Sequence, residues 1–186
     1  MQKKLIVVSG PSGVGKGTIV KTLIKRRSDV VESVSCTTRA PRQGEENGRE
    51  YYFLSKEEFE KRVREDDFLE YDNHFGNYYG TPKSFVRETL KEKSVILEID
   101  VVGALNAKKA FPNSVLVMIV PPSIDELRRR LISRGTESEE EVENRLQRLS
   151  YELSQKDKYD FVIVNDDLEQ AIADLSAVVD GKYKNE

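Results

Sequence analysis

The order of apolar runs in this chain predicts an α/β fold: a parallel sheet of the P-loop NTPase type with helices on both faces. Three observations carry that expectation. Four short runs, Leu5–Val8, Val95–Ile99, Val115–Val120 and Phe161–Val164, are apolar without alternation except for Glu98, as strands buried on both faces are. Helical patterns lie between them, and strands alternating with helices call for right-handed crossovers and a parallel sheet. The first run leads into Ser9-Gly10-Pro11-Ser12-Gly13-Val14-Gly15-Lys16-Gly17-Thr18 and then an amphipathic segment, Ile19 to Lys25. That is the strand–turn–helix setting in which a glycine-rich loop cradles phosphate.

The loop comes first in the chain. Gly10, Gly13 and Gly15 open backbone conformations closed to residues with a Cβ. Such a turn aims backbone N–H groups at one point, to which the helix N-terminus adds partial positive charge and Lys16 a full one. A P-loop has Ser or Thr directly after its lysine to hold magnesium; here Gly17 stands there and Thr18 follows. Thr18 contacts phosphate, contacts metal or holds a water that does, and the spacing leaves all three open. A chance glycine-rich turn is the competing reading. It is disfavoured because the three glycines, the lysine and the flanking elements agree.

The next stretch breaks the rhythm. Residues from about Ser35 to Thr81 are rich in Tyr, Gly and Arg and read as short strands plus one helix. That helix starts at Ser55 with Glu58, a capping box. Thr81-Pro82 marks another helix start, with proline at the first helical position. Ser123 with Glu126 and Ser138 with Glu141 repeat the capping signature, and residues from about Asp125 to Arg148 are densely charged and read as helical. Both stretches read as insertions on a nucleotide-binding core, one on each side of the loop.

Composition bounds the rest. The 186 residues suffice for one compact domain. A net charge of −3 argues against a general nucleic-acid coat. Cys36 is the single cysteine, so no intrachain disulfide forms and a reducing compartment is expected. No apolar run approaches the roughly 20 residues of a membrane span, and the N-terminus enters a strand with no signal peptide evident. The tail from Gly181 is expected to fray.

Arg39 and Arg42 flank Pro41, and two guanidinium forks this close suit a bidentate grip on a phosphate monoester. Tyr51 and Tyr79 add hydroxyl donors. Solvated loop arginines are the plainer reading of an isolated pair, but the nearby Pro, Gly and Tyr favour a preformed anion site. Glu98 and Asp100 end a strand, two apart and so on one face. At the carboxyl end of a parallel strand that face opens on the ligand crevice; Asp100 also suits the cap of the following helix. Asp166 and Asp167 are natural helix caps.

The runs GPSGVGKGT, TTRAPRQGEENGREYYF, GNYYGTP, ILEID, RRLISRGTESEEEVENRL and VIVNDDL, in that order, resemble the guanylate kinase family from Leu5 to about Leu168. The resemblance implies one guanylate-kinase-like domain over residues 1–186. Its core covers about 1–34, 82–124 and 149–186, with a small mixed α/β GMP-binding insertion at 35–81 and a helical lid at 125–148. It implies phosphoryl transfer from ATP to GMP with magnesium, in the cytoplasm, by a monomer or homodimer. Gly10 to Thr18 and Asn165 would bind ATP, although Asn165 also reads as a turn residue. Ser35, Arg39, Arg42, Glu45, Tyr51, Glu70, Tyr79, Thr81, Glu98 and Asp100 would bind GMP. Thr18 and, through water, Asp100 would serve the metal. Lys16, Arg39, Arg130, Arg134 and Arg145 would carry catalysis; Arg128, Arg129 and Arg148 read as solvated.

The chemistry fits. Guanine sets its N1–H and N2 amine beside the O6 acceptor, and an ionised carboxylate such as Glu70 can take both donors. Ser35 and Thr81 hydroxyls can donate to O6. Without the resemblance, Glu70 reads as a surface acid in a charge run. The acceptor phosphate is already anionic near neutral pH, so no general base is needed, and the sole histidine, His74, reads as structural or exposed. Two alternatives remain open: a non-enzymatic phosphopeptide-binding scaffold of similar fold, and a kinase of another phosphorylated acceptor such as ribose bisphosphate. The intact loop argues against the first, and the Ser35, Glu70, Thr81 set against the second.

Overall fold

A computed structural model describes residues 3–74, 76–133 and 149–184. In chain order the first half contains β1 (Leu5–Ser9), α1 (Lys16–Arg26), β2 (Val30–Glu32), β3 (Ser35–Thr37), β4 (Tyr51–Phe53), α2 (Lys56–Arg64), β5 (Phe68–His74) and β6 (Asn77–Pro82). The second contains α3 (Lys83–Thr89), β7 (Ser94–Glu98), α4 (Val101–Ala110), β8 (Val115–Val120), α5 (Ile124–Ser133), β9 (Phe161–Val164) and α6 (Leu168–Asp180).

Five strands form one parallel sheet in the order β2-β7-β1-β8-β9. Its strands are mostly apolar, with Ser9, Glu32, Ser94 and Glu98 at strand ends, because both faces are covered. Successive side chains of a strand point to opposite faces, and the two cores separate accordingly. Ile6 and Val8 pack with Ile19, Val20 and Leu23 of α1 and Ile172 and Leu175 of α6. Leu5 and Val7 pack on the other side with Val101, Ala104 and Ala107 of α4 and Val86 of α3. The expected helices on both faces are therefore present.

Three details differ from the sequence reading. The edge strand β2 has only three residues and ends on Glu32, too short and too polar to announce itself. The strand expected over Val95–Ile99 runs over Ser94–Glu98, one residue earlier. Pro82 is not the first helical residue of α3. It is the N-cap and the last residue of β6, with φ −63 and ψ 128, an extended conformation that the proline ring accommodates equally well.

A second, four-stranded sheet is built from residues 35–82 in the order β4-β3-β6-β5. β3 pairs parallel with β4 and antiparallel with β6, and β6 pairs antiparallel with β5. Its own small core holds Cys36, Phe59 and Phe68. Phe59 is stacked on Phe68 at 4.4 Å and on Tyr78 at 5.2 Å between ring centroids. Ser55 caps α2 by accepting from the Glu58 N–H, as its spacing predicts. Ser123 does the same for Glu126 at the start of α5. Ser138 and Glu141 lie outside the described residues.

Candidate active site

The loop after β1 is shaped by its glycines. Gly10 has φ 138, and a Cβ there would collide with the Ile119 carbonyl of β8. Gly15 has φ 98 and is the N-cap of α1, so no side chain caps that helix, and no acid occupies its first turn. The positive end of α1, with Gly15, Lys16, Gly17 and Thr18, faces the loop's cavity. Lys16 Nζ donates to the carbonyls of Gly10 at 2.6 Å and Pro11 at 2.9 Å. Asn165, just beyond β9, is buried; its Nδ2 donates to the Val14 carbonyl at 2.7 Å and braces the loop from behind.

This cavity, about 420 Å³, is lined by Ser12, Gly13, Gly15, Lys16, Gly17, Thr18, Lys21 and Glu98. Gly17 now has a physical account. A Cβ at that position would stand 3.3 Å from Glu98 Oε2, so the side chain that normally follows the lysine would crowd the acid that projects there. Burial pushes the Glu98 carboxyl above its usual range, with Lys16 and Lys21 pulling it back.

A second cavity of about 170 Å³ is lined by Ser35, Tyr51, Glu70, Asp72, Tyr79, Gly80, Glu98, Ile99 and Asp100. Thr81 Oγ1 donates to Glu70 Oε1 at 2.7 Å, and Ser35 Oγ lies 3.4 Å from Thr81 Oγ1. Three residues from three strands thus form one polar run. Glu70 is buried, and desolvation lifts its carboxyl to about 7, helped by Asp100 and Asp72 and opposed by the Thr81 bond. Tyr51 and Tyr79 meet edge to face at 5.9 Å. Beside them the Arg39 guanidinium lies 5.5 Å from the Tyr51 ring centre and donates from Nη2 to both Glu45 oxygens, at 2.9 and 3.0 Å. Glu45 also accepts from the Arg42 N–H at 2.7 Å, which folds the arginine loop around one carboxylate.

Glu98 lines both cavities. Asp100 does not share a strand face with it, because β7 ends at Glu98. Asp100 is the N-cap of α4 and accepts from the Gly103 N–H at 2.7 Å, yet it still lines the second cavity. Capping and pocket roles coexist. Arg130 lies in α5, but its side chain, like that of His74, lies outside the described part of the structure, as do Arg134, Arg145 and Arg148 altogether. Arg129 is exposed and pairs with Glu126, as a solvated helix charge does. Four lining residues, Lys21, Asp72, Gly80 and Ile99, escaped the sequence reading. Lys21 follows Gly17 by four and so shares its helix face; Asp72 follows Glu70 by two along β5.

A glycine-rich loop with its lysine at the carboxyl end of a parallel sheet, abutting a second cavity that shares its acid, has the build of a P-loop phosphotransferase. The family model described as guanylate kinase matches residues 2–182. The chain belongs to the guanylate kinase family. It is 49% identical over 179 residues to the guanylate kinase of Caldanaerobacter subterraneus subsp. tengcongensis, covering 96% of this chain and 87% of that one. It is 50% identical over 176 residues to that of Symbiobacterium thermophilum, covering 94% and 83%. The crystal structure of guanylate kinase from Anaplasma phagocytophilum superimposes with a TM-score of 0.77 at 32% identity, over 98% of this chain and 87% of that one.

Proposed function

We infer that this chain transfers the terminal phosphoryl group of ATP to GMP, giving ADP and GDP. The observation that carries the reading is the meeting of two cavities at Glu98, one cationic and loop-lined, the other acid-lined and hydroxyl-lined. Substrates laid in them come end to end.

In this reading the loop N–H groups and Lys16 hold the donor phosphates. Arg39, Arg42, Tyr51 and Tyr79 hold the acceptor phosphate, with Glu45 orienting Arg39. Glu70 takes the two guanine donors. Thr81 already gives its proton to Glu70, so Thr81 supports that carboxylate and Ser35 is the hydroxyl left for O6. Adenine would set an acceptor against Glu70 and leave buried polar groups unpaired, a mismatch that can discriminate by roughly 10⁴. Asn165 serves ATP by holding the loop.

The acceptor oxygen attacks without a base, so the protein supplies position and charge. Thr18 and Glu98, with Asp100 through water, offer the hard oxygens that magnesium takes alongside substrate phosphates. Magnesium, when bound with ATP, neutralises charge on the phosphates. Arg130, Arg134 and Arg145 of the segment at 125–148 bring the remaining cations. The insertion at 35–81 and that segment act as acceptor-binding and lid units on the core.

A cytosolic setting fits the free, buried thiol of Cys36 and the substrates. No described helix is long and apolar enough to cross a membrane. The test is a panel of nucleoside monophosphates and ribose bisphosphate, each with Mg-ATP and product identification. GDP and ADP should form from GMP far faster than any other product; no GDP refutes the reading, and GMP binding without turnover would indicate the scaffold.

A further inference from the structure

Gly103 occupies the third position of α4, where its N–H donates to the Asp100 cap. It is buried and has no positive φ, so its backbone does not require glycine. Alanine is the better helix former at such a position. The reason for glycine lies in what a Cβ would meet: Glu70 Oε2 at 3.2 Å, Asp100 Oδ1 at 3.3 Å and the Ile99 Cδ1 tip at 3.4 Å. The first two are carboxylate oxygens of the acceptor cavity, and Ile99 lines it too.

We propose that Gly103 determines base specificity: the missing side chain lets the Glu70 carboxylate settle against the first turn of α4 beside Asp100. Glu70 comes from β5 and Asp100 from the end of the β7–α4 turn, and α4 packs on β5. The Asp100 contact is that of any helix cap, which residues with a Cβ also make at Glu58, Glu126 and Gln170; the approach of Glu70 from a different element is what leaves a Cβ crowded here. Glu70 has little room to retreat. Its Oε1 is held by Thr81 at 2.7 Å and its side chain is buried. A methyl group would displace Oε2 by a few tenths of an ångström and strain the Thr81 bond. The positive end of α4 also favours the charged carboxylate that the guanine donors require. Gly103 touches no substrate in this account; it is a positioning residue acting through Glu70 and Asp100.

The inference rests on the reading that Glu70 faces guanine, and the experiment separates the two. Gly103→Ala is compared with the parent and with Glu70→Gln for melting temperature, KM for ATP, and kcat/KM for GMP and for IMP, whose base lacks the 2-amino group. Gly103→Ala should melt no lower than the parent and keep its KM for ATP. Its KM for GMP should rise about tenfold or more, the loss of one charge-assisted hydrogen bond, and its preference for GMP over IMP should shrink. An unchanged KM for GMP in Gly103→Ala, with Glu70→Gln impaired, overturns the role of Gly103 alone. A lowered melting temperature with equal losses for GMP and IMP shows a merely structural glycine and also overturns it. If Glu70→Gln leaves GMP unaffected, the guanine reading fails and the proposal falls with it.

Discussion

Burial lifts the Glu70 carboxyl to about 7, while the proposed pairing with a guanine base needs it ionised. Its carboxyl is moved from an ordinary 4.5 to about 7, chiefly by burial, with the Asp100 and Asp72 charges adding to it. Between those values the folded chain keeps a proton that the unfolded chain has lost. Stability of the free protein therefore falls as pH rises from 4.5 through about 7, by about 3 kcal/mol in all, and is fully present below that window. Binding runs the other way. At pH 6 only about one molecule in eleven carries the ionised form, so the apparent KM for GMP should lie about tenfold above its alkaline plateau. The second ionisation of the GMP phosphate, near pH 6, adds to that slope, and Glu70→Gln subtracts it. Calorimetry in two buffers of different ionisation enthalpy reads the proton directly: GMP binding at pH 6.5 should release about three-quarters of one from Glu70. If parent and Glu70→Gln show the same pH slope and the same proton release, Glu70 is not the group that meets the base.

Three further outcomes follow from other parts of the site. Lys16→Ala removes the ammonium at the donor cavity and should cut kcat by about 10² or more while circular dichroism stays unchanged; near-normal turnover would remove Lys16 from the donor site. Asn165→Ala strips a buried bond from the Val14 carbonyl and should cost about 1–3 kcal/mol of stability, with KM for ATP rising more than KM for GMP. Phe59→Ala empties the stack between Phe68 and Tyr78. It should cost about 3–5 kcal/mol in urea unfolding and raise KM for GMP before KM for ATP, because its sheet carries Ser35, Tyr51, Glu70, Tyr79 and Thr81.

The parallel sheet was legible because four of its strands are built on runs of three or more consecutive apolar residues. The loop was legible because Gly10, Gly15 and Lys16 are demanded by local backbone geometry and charge. β2 was not, since three residues ending in Glu32 carry no periodic signal, and its place comes from pairing with β7. Glu70 illustrates the same divide. Its local sequence, Asp66-Asp67-Phe68-Leu69-Glu70, reads as a surface charge run, and only the approach of β6 and α4 buries it.

What the chain's order of residues determined by itself is local: a glycine loop after a buried strand, side-chain caps at Ser55, Ser123 and Asp167, and an arginine pair beside a proline. These depend on neighbours within a few positions, so spacing encodes them. Tertiary packing alone decided that Gly17 yields its space to Glu98, that Thr81 spends its proton on Glu70, and that Gly103 leaves room for Glu70. Gly17 with Glu98 and Gly103 with Glu70 join elements remote in sequence at a few ångströms, and Thr81 meets Glu70 across paired strands; such proximity is set by how the two sheets and α4 pack.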